Sequence, residues 1–484
     1  MVSVRCVAID LGAGSCRVSL AEWDGAAVQV HPVHRFQNGP TERDGHLHWQ
    51  LDRLCGGADE GLRLAAEHLA HHDHAIDSIG VDGWAVDYVR LDASSRSLDD
   101  PFCYRDPRTE TAMPEVWERI AADRLYELTG IQFLRFNTLY QLYADRRDGL
   151  EPGAIWLNLP EYLLHRLCGF ESGTAVAEYT NATHTQLVEA RTRDWCDEIF
   201  ARVGLDRSAA PRIVPPGTQL GRLRCGGLAT LSAYKDTRVI APACHDTGAA
   251  VAGIPDANDD WAFISSGTWS LVGAVLDAPC TSAAARRENF TNEGGVGGRI
   301  RFLKNVNGMW LLEECLREWQ AAGGDSGTLP ELIAECERRP APPATFNVDA
   351  AELILPGNMP AKINRELEKA GHAPLAEGAE RAPAIANIIF ASLAARYAEV
   401  LRALQAVTGR RFRRLYVVGG GSQNRYLNRL IADRTGLEVK RGPAESSTNG
   451  NLAVQFASLE SGGKGVTSED VARWAARLIG PSSS

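Results

Sequence analysis

Two stretches of this chain, about 255 residues apart, share one pattern, and that repeat narrows the folds open to it. In the first, the apolar run Val4 to Ile9 enters Asp10-Leu11-Gly12-Ala13-Gly14-Ser15-Cys16-Arg17, and Val18 to Trp23 resumes it. In the second, Trp261 to Ser265 enters Ser266-Gly267-Thr268-Trp269-Ser270, and Leu271 to Val275 resumes. Each reads as strand, small-residue turn, strand. One such hairpin opening each half implies an internal duplication. The expectation is two α/β domains, residues 1–243 and 244–484, each presenting its turn to a shared cleft. A chain of 484 residues is too long for a single core in any case.

The first turn has a definite chemistry. A Gly-rich tip exposes backbone N–H groups, and with Ser15 and Arg17 beside it the nest suits phosphate oxygens. Asp10 suits a Mg²⁺ ion held through water, because Mg²⁺ keeps much of its hydration shell. The glycines are not spaced as a Walker loop and no Lys follows them. They also open no helix, so the dinucleotide fingerprint does not apply. The plain alternative is an ordinary hairpin turn.

At the midpoint lies Val239-Ile240-Ala241-Pro242-Ala243-Cys244-His245-Asp246-Thr247-Gly248-Ala249-Ala250. The apolar part reads as a buried strand, and the small residues from Gly248 to Gly253 as a closely packed helix. Ligands of open α/β sheets bind outside the carboxyl ends of the strands. Asp246 is therefore well placed to take a proton from a hydroxyl. The alternative is that Asp246 only caps the following helix.

The remaining elements follow from periodicity and breakers. Apolar positions from Leu54 to Leu69 predict a helix over 54–70. Ser78 to Val81 predicts a strand, followed by Asp82-Gly83-Trp84-Ala85-Val86-Asp87. There Asp82 and Trp84 suit a sugar, unless Trp84 is core and Asp87 solvated. Residues 131–142 and Tyr179-Thr180-Asn181-Ala182-Thr183 mix aromatics with amides and hydroxyls, as a pocket for a neutral polyol would. Taken singly, each also reads as a loop bonding its own backbone. Trp310 to Trp319 and Ile385 to Val407 predict helices. Arg414 to Val418 predicts a strand ending in Gly419-Gly420-Gly421, where bare backbone would admit the flat ring of adenosine. Ser446 to Asn451 is expected to cap a last apolar helix, Leu452 to Leu459.

Net charge of −10 argues against a nucleic-acid-binding face. No apolar run approaches the roughly 18 residues of a membrane span, and the first residues enter a strand without a signal-peptide pattern. The eleven cysteines contain no Cys-X-X-Cys pair. They read as free thiols of a reducing cytoplasm, not as a zinc site or a disulfide frame.

The order of phosphate hairpin, mid-chain Asp, Gly-Thr hairpin and Gly-Gly-Gly before a helix resembles the FGGY carbohydrate kinases. Tyr104-Arg105-Asp106, Gly130 to Leu134, Phe136 to Leu142, Glu178 to Thr183, His245-Asp246-Thr247, Thr291 to Gly295 and Leu303-Lys304-Asn305 carry that resemblance over nearly the whole chain. It implies two actin-like (ribonuclease H-like) domains with the ligand cleft between them. It implies ATP and Mg²⁺ as cofactors, a small sugar as the partner, and a monomer or homodimer. Segments 130–142 and 178–183 are similar to the branch acting on L-rhamnulose, with L-fuculose or L-xylulose as alternatives. A sugar-sensing or actin-like protein is the non-enzymatic alternative. By resemblance, Asp246 is the base that deprotonates the sugar. Ala85, His245, Thr247 and Asn305 hold the sugar, and Ala13, Gly14, Ser15, Cys16, Arg17, Thr268, Glu313 and Gly421 line the ATP site. The sequence departs from the family at Gly14-Ser15-Cys16, where Ser-Ser-Gly is usual. It departs again at Gly83-Trp84-Ala85 in place of Thr-Trp-Gly, and at Glu313 in place of Gln.

Overall fold

The computed structural model describes residues 3–69, 75–376 and 378–480. The chain forms two compact units. One runs to Ala257 and takes in Val275–Phe302 and the chain from Ser446; the other is Asn258–Ala274 with Leu303–Glu445.

In the first unit, Val4–Leu11 lies antiparallel to Ser15–Trp23, which lies antiparallel to Val28–Gln37. On its other side Val4–Leu11 runs parallel to Ser78–Gly83, which runs parallel to Arg238–Ala241. Thr218–Arg222 closes that edge. Alternation along the first strand serves two cores, as period-2 side chains must. Val7 and Ile9 join Leu54, Ala58 and Leu62 of the helix Leu51–His68. Cys6 and Ala8 face the opposite way, onto Leu452 and Phe456 of the helix Ser446–Glu460. The discontinuity of this unit therefore has a physical cause. Its sheet is apolar on both faces, and the second face is covered by chain from the far end of the sequence.

The second unit repeats the scheme. Trp261–Ser266 lies antiparallel to Trp269–Leu276 and parallel to Arg414–Val418, which is parallel to Glu438–Arg441. Ile300–Asn307 follows Trp269–Leu276 in the strand order. The duplication expected from the two hairpins is thus present in strand order and direction. The helix Ala382–Thr408 buries Ile385, Ile389, Leu393 and Leu404, and its Tyr397 hydroxyl lies 2.6 Å from Ser270 Oγ.

Several expectations need correction. Among the described residues, the helix Ala382–Thr408 belongs to the one segment long and apolar enough to cross a membrane, although most of it is buried in protein. The helix expected over Ile385 to Val407 is present, and small and charged residues such as Arg396, Glu399 and Arg402 interrupt its apolar run. Ser446 to Asn451 are not a cap but the first turns of the helix, and a further helix, Ser468–Ile479, follows. The helix expected over 54–70 begins earlier, at Leu51, and ends at His68; residue 70 lies outside the described residues. All eleven cysteines are free, most of them buried.

Candidate active site

Three parallel strands of the first unit end side by side. Register pairs Asp10 with Asp82, and a bridge beyond the strand ends pairs Gly83 with His245. Carboxylates from three separate parts of the sequence thus reach one sheet edge. Asp10 accepts from Ser447 Oγ at 2.6 Å and from Thr448 Oγ1 at 3.5 Å, and lies 3.6 Å from Arg17 Nε. Asp82 is closed to solvent. One of its oxygens takes Asn451 Nδ2 at 2.6 Å and the other has no partner. Burial, and next the charge of Asp10, push the Asp82 carboxyl well above the usual range. The reading of Asp82 as a sugar contact finds no support in this closed position.

Asp246 opens the helix Asp246–Ala252. Its Oδ1 accepts the Thr247 N–H at 2.6 Å and the Thr247 hydroxyl at 3.3 Å, and lies 3.4 Å from His245 Nε2. These contacts all fall on one oxygen. The side chain keeps 36% of its surface exposed. The helix-end role and an open carboxylate oxygen therefore coexist. Burial and then Asp10 push the Asp246 carboxyl up to about 7, against the pull of the Thr247 N–H.

The loop carrying His245 is held from beneath. Glu178 accepts the Cys244 N–H at 2.8 Å and bonds the Thr180 hydroxyl, and Thr180 Oγ1 accepts the His245 N–H at 3.0 Å. Glu161 accepts Asn181 Nδ2 at 2.9 Å and the Glu178 N–H at 3.1 Å. Burial pushes Glu161 up to about 8 and Glu178 up to about 7. The polar residues 179–183, expected to face a polyol, are buried, and Thr180 bonds this loop directly.

Segment 131–142 differs from expectation in the same way. Thr138 Oγ1 donates to the Val86 carbonyl at 2.8 Å, and Gln141 Nε2 donates to it at 3.3 Å. Val86 has φ +74°, a conformation that β-branched residues rarely adopt. Two buried donors thus hold a strained turn next to Ala85. Asp87 is not solvated but buried, taking Trp49 Nε1 at 2.6 Å, Trp84 Nε1 at 2.9 Å and Gln141 Nε2 at 3.0 Å. Trp84 is core. Among the half-buried aromatics of this region, Tyr104 and Phe136 have ring centres 5.4 Å apart.

At the first hairpin, Ala13, Ser15 and Arg17 are half-buried and Gly14 is exposed, so the tip is open. Asn38 Nδ2 donates to the Gly12 carbonyl at 3.0 Å, and a Cβ on Gly12 would lie 2.4 Å from the Ser15 carbonyl oxygen. The Cys16 thiol points into the core, leaving only its backbone for a ligand.

In the second unit the turn Gly267-Thr268 is held by N–H groups leading into the helix Trp310–Ala321. Met309 N donates to Gly267 O at 3.0 Å and Trp310 N to Thr268 O at 3.2 Å. Thr268 Oγ1 reaches Glu313 Oε2 at 3.5 Å. Gly421 packs against Ser266 so closely that a Cβ would lie 2.0 Å from its hydroxyl oxygen. Asn305 is half-buried on Ile300–Asn307. Thr268, Glu313 and Gly421 thus gather around one hairpin of this unit. Ala13 to Arg17, Ala85, His245, Asp246 and Thr247 belong to the other.

Sequence reasoning missed Arg301 and gave Glu293, within Thr291 to Gly295, no role. Arg301 is buried with Nη1 3.0 Å from Glu293 Oε2, and its Nε donates to the Gly294 carbonyl at 2.8 Å. The available signal was an Arg inside the apolar run Ile300-Arg301-Phe302-Leu303. His184, His245 and Glu293 bring donor atoms within 4.8 Å of one another, but the Arg301 guanidinium already supplies the cation there.

These two units repeat one α/β strand plan, and one of them ends in an open carboxylate near a Gly-rich turn. Residues 5–253 match the N-terminal domain of the FGGY family of carbohydrate kinases and residues 262–459 match its C-terminal domain. The chain belongs to that family, whose members are ATP-dependent carbohydrate kinases. Its fold is that of a gluconate kinase from Lactobacillus acidophilus at 14% identity, with TM-score 0.77 over 98% of this chain and 92% of that one. A xylulose kinase from the same organism gives 15% identity, TM-score 0.77 and 97% and 92% coverage. Plasmodium falciparum glycerol kinase with ADP gives 13%, 0.72, and 97% and 92%.

Proposed function

We propose that the chain transfers the γ-phosphoryl group of ATP to O1 of L-rhamnulose, with Asp246 as general base. The observation that carries the base assignment is the division of labour on its carboxylate. Oδ1 is held by Thr247 while the side chain stays open, so Oδ2 is left to receive a proton. A pKa near 7 matches a base working near neutral pH. Phosphoryl transfer is mostly positioning and charge neutralisation. The open tip at Ala13, Gly14, Ser15 and the Cys16 backbone, with Arg17, would take phosphate oxygens. Thr268, Glu313 and Gly421 would take the nucleotide. Ala85, His245, Thr247 and Asn305 would hold the sugar.

The residues at the sheet edge fit a divalent cation. Asp10 stands beside two further carboxylates whose charged forms it disfavours, and a cation would relieve that repulsion. Mg²⁺, held through water by Asp10, would neutralise phosphate charge. Free thiols throughout the chain support a reducing cytoplasmic setting.

The half-buried pair Tyr104 and Phe136 supports a ketose with an apolar end, such as the C6 methyl of L-rhamnulose. Ala85, with a methyl group where glycine is usual, favours the second reading, a kinase for L-fuculose or L-xylulose. One methyl in an apolar pocket is worth about 1–3 kcal/mol, so related ketoses should be turned over slowly rather than excluded. The test is kcat/KM over L-rhamnulose, L-fuculose, L-xylulose and D-fructose, with the phosphate position read by NMR. A tenfold advantage for L-fuculose or L-xylulose would transfer the assignment to that sugar. Absence of ATP turnover with every sugar would favour a sensor or an actin-like role.

The Val86 turn supplies a second test. Thr138→Val keeps the side-chain shape and removes one donor, a loss of about 1 kcal/mol. The expected result is a sugar KM raised about fivefold with ATP KM nearly unchanged. Equal changes in both constants would mean that the turn serves general stability only.

A further inference from the structure

We infer that Arg301 is a positioning residue that fixes the tautomer of His245 and leaves the ring proton on Nε2, the nitrogen on the Asp246 side. A neutral imidazole carries one N–H and one bare nitrogen, and which is which follows from its partners. Arg301 has only donors to offer. Its Nη2 lies 3.1 Å from His245 Nδ1, so Nδ1 accepts and carries no proton. Glu293 Oε2 is 3.6 Å from the same Nδ1, too far for a hydrogen bond, and it faces Arg301 Nη1 at 3.0 Å. The proton is then on Nε2, whose nearest carboxylate oxygen is Asp246 Oδ1 at 3.4 Å. The opposite tautomer would set donor against donor at Nδ1 and a lone pair against a carboxylate at Nε2.

Arg301 is well built for this duty. It is buried, its Nε is tied to the Gly294 carbonyl, and Glu293 balances its charge. His184 packs edge-on to His245, ring centres 5.0 Å apart, and lies 3.5 Å from Glu293. Burial, and next the Arg301 charge, hold His245 well below the usual imidazole range, consistent with a neutral ring. Given the phosphoryl-transfer reading above, the consequence is a base with one oxygen dressed by donors and the other open. His245 itself stays an N–H donor, available to a sugar oxygen, and does not compete with Asp246 for the proton.

The test is nitrogen-15 NMR of the full chain labelled in histidine, with His245 assigned by loss of its signals in His245→Gln. The expected wild-type pattern is a protonated Nε2 and a bare Nδ1. Two variants follow: Arg301→Lys, which keeps a donor, and the double Arg301→Met/Glu293→Gln, which removes both charges of this ion pair together while Glu178 keeps its Thr180 and Cys244 donors. Arg301→Lys should keep the tautomer and most of kcat. The double variant should show mixed tautomers and a kcat lower by about tenfold. The acid limb of its pH profile should also move to higher pH, because Asp246 loses the Arg301 charge that lowers its carboxyl while Asp10 still raises it. A protonated Nδ1 in the wild type overturns the proposal. So does a double variant with the wild-type tautomer and pH limb. If the double variant does not fold, the wild-type pattern and Arg301→Lys decide. Should Asp246→Asn prove fully active, the base assignment falls, and the NMR pattern still decides the Arg301–His245 pair.

Discussion

Asp246→Asn is expected to lower kcat by about 10²–10⁴-fold, the usual worth of a positioned general base. The amide keeps the size of the side chain, and an oxygen at the Oδ1 position can still accept the Thr247 N–H. Helix geometry and ligand affinity should therefore survive, with sugar and ATP binding within a few-fold of wild type by titration calorimetry. The wild-type pH profile carries a matching signature. The base must be deprotonated to act, and its carboxyl is pushed up to about 7. The expected kcat/KM is flat above that value and falls tenfold per pH unit below it, as the carboxylate takes up a proton. This acid limb should vanish in Asp246→Asn. A variant with near wild-type turnover would reduce Asp246 to a helix-end residue.

Asp10→Asn should give the second large effect, with two opposite parts. Loss of the carboxylate proposed to hold Mg²⁺ through water should cut activity about 10–100-fold at low Mg²⁺, with partial recovery at high Mg²⁺. The same change removes the negative charge that raises the Asp246 carboxyl. The acid limb of the residual activity should therefore move to lower pH. Measuring activity against Mg²⁺ at several pH values separates the two. An unchanged Mg²⁺ dependence would remove Asp10 from the metal assignment, and an unmoved limb would remove its charge coupling to Asp246. Ser447 and Thr448, which donate to Asp10, keep their backbone positions in the helix Ser446–Glu460, so the fold should tolerate the amide.

Local pattern made much of this legible. The hairpins at Asp10–Arg17 and Ser265–Ser270 were readable because a strand needs only alternation and a turn only small residues. His245-Asp246-Thr247 stood out because polar residues follow an apolar run directly. The polar clusters were harder. Thr138, Gln141, Thr180 and Asn181 have the same composition whether they face a sugar or a buried backbone, and composition does not say which. In the fold they hold the Val86 turn and the Cys244–His245 loop.

By itself the sequence determined the duplicated α/β plan, the two small-residue hairpin turns and the mid-chain carboxylate, since each is encoded within a dozen consecutive residues. Tertiary structure alone decided which groups share an environment. Asp10, Asp82 and Asp246 become neighbours only when parallel strands pair in register, and their coupled charges follow from that pairing. The helix Ser446–Glu460 reaches the sheet edge only because the apolar back of the first strand needs a cover. Arg301 reaches His245 only because strand Ile300–Asn307 brings a buried cation to a buried ring. These are long-range contacts, whose partners no local window of residues contains.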